Sequence, residues 1–200
     1  KGHASYYDDI QKRSGVTSTQ YFTTQEVIHN TEVVDNAYRI NALDAGLLLV
    51  KNEKNIFFRN TLQFNKRWKY DVGNLLFNYE TPIKQRVTYE DMVFMNNLSA
   101  ALSIGKQLVH IHSNFEYHNT PQKLWVSPIQ FDIWMNENRP TNELEQHVLY
   151  KSLKWNNNLS FTRAFKSWRV TPMIGLTYSH NTLDSYIDLD KVILDDNIYT

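Results

Sequence analysis

The stretch GKQLVHIHSNFE, Gly105 to Glu116, holds the side chains best suited to chemistry. His110, His112 and Glu116 fall on one side of an alternating run, and two imidazoles with a carboxylate suit Fe, Mn or Zn. The same three side chains on an extended strand also suit a polar face turned to water or to the lumen of a barrel. That plainer reading is kept, and no metal ligand is assigned.

The jelly-roll metal motif of the cupins resembles this stretch only in part. That pattern wants five residues between the glycine and the first histidine, and here there are four. Lys123 stands where it wants a second glycine, and PMIGLTYSH is a faint match to its second half. Other chemistries have less support. A nucleophilic serine needs a sharp, glycine-flanked turn, whereas Ser99, Ser103 and Ser113 sit inside alternating runs. The carboxylate pairs Asp8-Asp9, Asp188-Asp190 and Asp195-Asp196 lie in turn-like or terminal segments and read as solvated charge. Trp125, Trp134 and Trp155 could stack on sugars, but wall packing explains them as well. There is no glycine-rich phosphate loop. No catalytic, cofactor-binding or metal-site residue is assigned, no cofactor is implied, and an enzyme is not expected.

Composition narrows the classes further. Lys plus Arg equals Asp plus Glu at 21 each, and the bases are scattered, so nothing steers the chain to nucleic acid. The absence of cysteine excludes disulfides and thiolate chemistry. Aromatic residues reach 14%, Gly (6) and Pro (5) are scarce, and this balance favours strands joined by polar turns. The start KGHASYYDD has no basic or apolar leader, and AGLLLV is far too short for a spanning helix.

The elements that must position these residues alternate with a period of two almost end to end. In NIFFRNTLQFNKRWKY, residues 55–70, Ile56, Phe58, Leu62, Phe64, Trp68 and Tyr70 share one side. Arg59, Thr61, Gln63, Asn65, Arg67 and Lys69 share the other. Strands are expected at 20–28 and 38–50, with KNEKN turning into the stretch just quoted. Weaker strands are expected at 72–79, with a bulge or turn at Gly73-Asn74, and at 84–89. Leu98, Ala100, Leu102 and Ile104 lead to a Gly105-Lys106 turn. Val109, Ile111, Phe115 and Tyr117 return on one face, opposite His110, His112, Asn114, Glu116 and His118. TPQKLWVSPIQFDIWMNENRPTNE reads as a long loop broken by one short strand. Leu149, Leu153, Trp155, Leu159 and Phe161 then pair, across RAFKS, with Trp168, Val170, Ile174, Leu176 and Tyr178. The acidic tail, 183–200, holds one last strand. The sum is an all-β antiparallel up-and-down meander of long strands, a β-barrel or part of one, in a single unit over residues 1–200.

Strand length separates a soluble core from lipid. Soluble strands average about 5–6 residues, while alternation here persists for much longer. From Trp168 to Tyr178 the chain covers about 33 Å, or roughly 23 Å along a bilayer normal at a tilt near 45°. Outer-membrane barrels carry an apolar band about 25 Å tall edged by aromatics. Lys66 spoils the apolar side of 55–70, and a lysine at the midplane costs about 2–4 kcal/mol. Lipid contact is therefore expected from Ile56 to Phe64, with Lys66 to Tyr70 at or beyond the interface. Pro172 falls in mid-strand and requires a bulge or an edge.

The run TQYFTTQEVIHNTEVVDNAYRINALDAGLLLVKNEKNIFFRNTLQF resembles the barrel of SusC-like TonB-dependent outer-membrane receptors of the Bacteroidetes type. Its YF strand entry, the acidic Glu32 and the KNEKN hinge carry the likeness. SNFEYHNTPQKLWVSP and FKSWRVTPMIGLTYSHN are similar to mid-barrel and returning strands of that family. The resemblance implies nutrient uptake, of glycans or metal chelates, across the outer membrane of a Gram-negative cell. It implies outer-membrane lipid, a plug, the remainder of the barrel and an inner-membrane energy-coupling protein as partners. Such barrels have about 22 strands, and this chain holds no TonB box, no plug and no terminal aromatic strand, so an internal wall segment is expected. The alternatives are a soluble β-barrel or cupin-like jelly roll binding a small ligand or a metal through His110, His112 and Glu116, and an independent small outer-membrane barrel.

Overall fold

In a computed structural model, residues 1–22, 27–77, 81–129, 142–189 and 192–199 are described. They are extended almost throughout. The strands are β1 (Gly2–Phe22), β2 (Val27–Glu53), β3 (Ile56–Phe77), β4 (Ile83–Ile104), β5 (Gln107–Ser127), β6 (Leu144–Phe165), β7 (Trp168–Val170), β8 (Met173–Leu189) and β9 (Val192–Tyr199). They form one antiparallel sheet in the order β1-β2-β3-β4-β5-β6-β8-β9, with β7 also on β6. Each strand pairs with its sequence neighbour, so this is the expected up-and-down meander. The sheet is not closed: β1 and β9 end the path and do not pair with each other.

The long alternating runs form the strands because period two places one set of side chains on each face. β2 and β3 stay in one register from Glu32–Phe77 to Glu53–Ile56. Three two-residue turns lie together at one end: Lys54-Asn55, Gly105-Lys106 and Lys166-Ser167. Gly105 takes a φ of +61°, which a hairpin turn of this length favours, and Lys166 takes 49°. At the other end β5 and β6 are separated by residues 128–143, of which 130–141 lie outside the described residues.

Several strand boundaries differ from expectation. The strand expected at 20–28 is divided, because β1 ends at Phe22 and β2 begins at Val27; residues 23–26 lie outside the described residues. The expected strands at 72–79 and 84–89 are the far ends of β3 and β4. Gly73 is neither bulge nor turn, since it pairs in regular register with Asn36 and Gln85. A Cβ there would collide with the Asn36 carboxamide, so glycine serves a close contact. The first part of the expected loop, 120–127, is strand, because β5 runs on to Ser127. Its pairing with β6 continues through Thr120 and Pro121, while the ladder to β4 skips both, as a proline without an N–H requires. Trp134 and the rest of 130–141 lie outside the described residues. Pro172 sits at the break between β7 and β8, where its carbonyl accepts the Phe161 N–H at 3.2 Å. Asp8 and Asp9 stand within β1, in mid-strand.

One layer leaves little interior. The accessible surface is 14555 Å², against roughly 9,800 Å² for a compact monomer of this mass. Among the described residues, the buried hydrophobics are Ala42, Ile83 and Leu189. Phe58, Leu62 and Phe64 do not converge on a core.

Candidate functional site

Register sorts the side chains into two faces. Face one carries the even positions of β3 and β4 and the odd positions of β2, β5 and β6. Each apolar set picked out by alternation falls on it. Rows run across the sheet, for example Ala45, Phe64, Phe94, Tyr117 and Leu153. Another row joins Phe58, Ala100, Ile111, Leu159 and Ile174. Between the Ile56 row and the Phe64 row, Lys51 and Glu53 are the charged side chains on face one; they pair at 3.4 Å beside the β2–β3 turn. Asn60, Asn96, Ser113 and Asn157 interrupt this band with neutral polarity. Trp155 Nε1 donates to Ser113 Oγ at 3.1 Å, which satisfies one of them. Nothing described covers the band, and Ile174 and Leu176 are 69% and 64% exposed.

Across these rows, face two is polar on β5 and β6 and mostly so on β3 and β4, where Phe57, Ala101 and Met95 are the exceptions, while β2 sets Leu48 and Val50 there. Its central row is Thr61, Asn97, Asn114, Asn156 and Thr177. Beside it lie Arg59, Ser99, His112 and Asn158 on one side, and Gln63, Met95, Glu116 and Lys154 on the other. Asn65 donates to Asp44 on this face, and His118 Nε2 lies 2.6 Å from Glu116 Oε1.

Beyond the Phe64 row, away from the tight turns, the polarity of the two faces exchanges on β4, β5, β6 and β8, whereas β3 keeps Trp68, Tyr70 and Val72 on face one. Face one becomes charged: Lys66, Arg39, Glu90, Arg86, Lys123 and Glu145. Face two gathers Leu75, Ile83, Val126, Leu144 and Leu189 near the far end, while Arg67, Lys69, Asp71 and Asp91 keep it charged on β3 and β4 nearer the Phe64 row. Lys66 stands at the exchange. Its Nζ lies 4.7 Å from the Trp68 ring centre and 3.4 Å from Glu90 Oε2, so its charge points off the band.

The electrostatics of this second half are those of solvated pairs. Asp8 accepts two hydrogen bonds from Arg39, at 2.9 and 2.6 Å, and this guanidinium holds the Asp8 carboxyl below its ordinary value. Glu145 lies 2.6 Å from Lys123 Nζ and 3.3 Å from His147 Nε2. Lys123 first, and then His147, lower its carboxyl pKa against the opposing effect of burial. His147 also stacks on Tyr186 at 4.4 Å.

The residues with metal-binding chemistry do not converge. His110, His112 and Glu116 share face two, but six extended residues separate the first from the last, about 20 Å. Imidazole ligands lie about 2.0–2.1 Å from a zinc ion. Among the described residues, no group of three His, Cys, Asp or Glu side chains could hold a metal. Trp125 and Trp155 share face one but are far apart: Trp125 pairs with Glu145, ten residues along β6 from Trp155. Asp8 and Asp9 point to opposite faces, Asp8 to Arg39 and Asp9 to Gln11. What residue-by-residue reading missed is the exchange of faces, which becomes visible once register aligns the rows.

No family model matches the chain, and no curated protein matches it. Among solved structures, the membrane pore complex of pneumolysin aligns over 94% of this chain and 31% of its own, at 7% identity and a TM-score of 0.12. A score that low carries no argument about fold or function.

Proposed function

We propose that this chain is wall of an outer-membrane TonB-dependent receptor that takes up a nutrient, a glycan or a metal chelate, in a Gram-negative cell. The observation that carries the reading is the uncovered apolar band on face one, aligned across seven strands. It runs for eight to ten residue steps, about 26–33 Å along the strands, or roughly 20–25 Å along the normal at a 40° tilt. That matches the hydrocarbon thickness such barrels span. Face one then meets lipid, and the Asn-, Ser- and Thr-rich rows of face two line the conduit. Transmembrane barrels have short periplasmic turns and longer external loops. The end with three two-residue turns is accordingly periplasmic, and the charged half of face one stands outside the bilayer. The remainder of the barrel pairs with the open sheet edges. Substrate enters from the loop side, and a plug within the complete barrel is moved by the inner-membrane energy-coupling protein.

The chain has no cysteine, so single nitroxide labels can be introduced one position at a time. In lipid vesicles, Leu98→Cys, Ala100→Cys and Leu102→Cys labels should be relaxed by oxygen. Labels at Ser99→Cys and Ala101→Cys should respond to a water-soluble relaxant. A profile without this alternation would overturn the membrane reading.

A further inference from the structure

We infer that face two carries a recognition notch for a small hydroxylated carboxylate, built by Arg13, Tyr38 and Lys69 with Asn36 and Asp71. This rests on the conduit reading, because the notch lies on the face assigned to the lumen, outside the apolar band on the loop side.

Three strands build it. β1 supplies Arg13, β2 supplies Asn36 and Tyr38, and β3 supplies Lys69 and Asp71. Register sets Gln11, Tyr38 and Asp71 in one row, Arg13, Asn36 and Gly73 in the next, and Lys69 one row toward the turns. Arg13 Cζ lies 5.4 Å from the Tyr38 ring centre and Lys69 Nζ lies 5.0 Å from it. Two cations thus approach one ring from neighbouring strands, and the ring's negative π-face offsets part of their mutual repulsion. Neither cation forms an ion pair within the described residues, in contrast to Arg39, Lys66 and Lys123 on the other face. Asp9, the next carboxylate along β1, is engaged by Gln11 at 2.7 Å. Asp71 is then the one acid in the notch, against two bases.

This imbalance selects the ligand. An oxyanion gains charge-assisted hydrogen bonds from the planar guanidinium and from the ammonium. Asp71 repels a bare anion but accepts a hydrogen bond from a hydroxyl, and the Asn36 carboxamide can exchange bonds with a second. A carboxylate with adjacent hydroxyls satisfies all four. The enclosed space is about 80 Å³, equal to two or three waters at about 30 Å³ each. It holds the carboxylate end, while the rest of the ligand lies over the open sheet. Gly73 keeps the floor clear, since a Cβ there would strike the Asn36 carboxamide.

The test is calorimetric titration of the folded full chain in detergent with glucuronate, glucose, acetate and inorganic phosphate. Glucuronate should bind, and glucose and acetate should bind at least about tenfold more weakly, as expected for losing charge-assisted or hydroxyl bonds. Arg13→Gln with Lys69→Gln should remove glucuronate binding, and Asp71→Asn should erode the preference for glucuronate over acetate. Circular dichroism checks that each variant keeps its strand content. Glucuronate binding that survives the double substitution, or no binding at all, overturns the proposal. Phosphate binding as tight as glucuronate overturns the ligand class. None of these outcomes depends on the lipid-facing band, whose failure the nitroxide profile reports separately.

Discussion

The turn-side and loop-side halves of these strands share one ladder, one register and one pair of faces, yet on β4, β5, β6 and β8 their apolar residues stand on opposite faces. In the turn-side half, Phe58, Leu98 and Ile111 stand on face one against Arg59, Asn97 and His112 on face two. In the loop-side half, Lys123 and Glu145 occupy face one, while Leu124, Val126 and Leu144 occupy face two. A sheet in a single medium has no reason to exchange its apolar side midway. The wall proposed above would: lipid would lie outside it in one half and water in the other. Under the proposed function the surroundings change along the strands near the Lys66 row, a change written on β4, β5, β6 and β8 and absent from β3, which keeps Trp68, Tyr70 and Val72 on face one.

The largest effects should come from the centre of each apolar side. Leu189 is 1% exposed, and Leu189→Ala should cost about 2–5 kcal/mol by lost transfer energy and a residual cavity. Denaturant titration in detergent measures it, and a cost below about 1 kcal/mol would mean the loop-side cluster is not a packed core. Leu98→Arg, mid-band on face one, should cost about 2–4 kcal/mol in vesicles, whereas Asn97→Arg on face two should stay near zero. Equal costs would erase the distinction between the faces. Leu124→Arg and Lys123→Leu apply the mirrored test to the loop side, with the first the more damaging.

This exchange also explains what was legible in the sequence. The turn-side alternation named its faces residue by residue, from Phe58 and Leu62 to Leu159 and Ile174. On β3 the apolar set keeps to even positions through Val72 and an aliphatic residue first stands at an odd one at Leu75, so the pattern imitates a turn there while the backbone keeps its register. Gly73-Asn74 lies in that interval and imitates a bulge or turn, while the prolines and asparagines beyond Asn119 imitate a loop although β5 continues to Ser127. β1 gives no such signal, because SYYDDIQKRSG has no apolar face to alternate. The notch was not legible at all. Arg13, Tyr38 and Lys69 lie on three strands, and only register brings them together.

Smaller substitutions probe the boundary itself. Gly73→Ala should displace Asn36 and cost about 1–3 kcal/mol, as overpacking does, with a weakened response to glucuronate. Unchanged stability and unchanged binding together would show that the Asn36 contact does not shape the notch. Lys66→Ala removes a half-exposed ion pair and a contact with Trp68, a loss of about 1 kcal/mol or less. A gain of several kcal/mol in vesicles would instead put Lys66 inside the hydrocarbon and move the boundary one row toward the loops.

The smallest effect is the most direct report on water at the loop-side half of face one. Lys123, with help from His147, holds the Glu145 carboxyl below its ordinary value near 4.5, so between the folded and unfolded pKa values the unfolded chain binds more protons than the folded one. Stability from this group is therefore complete above the ordinary value and is lost as pH falls through the folded one. Glu145→Gln should flatten that acid-side slope and leave stability above pH ~6 lower by no more than about 1 kcal/mol, the usual worth of a solvated pair. Added salt should shrink the difference between wild type and variant, because water and ions reach the pair. A salt-insensitive loss of several kcal/mol would mean that face one is covered there, and that the two halves of the strand meet the same kind of medium after all.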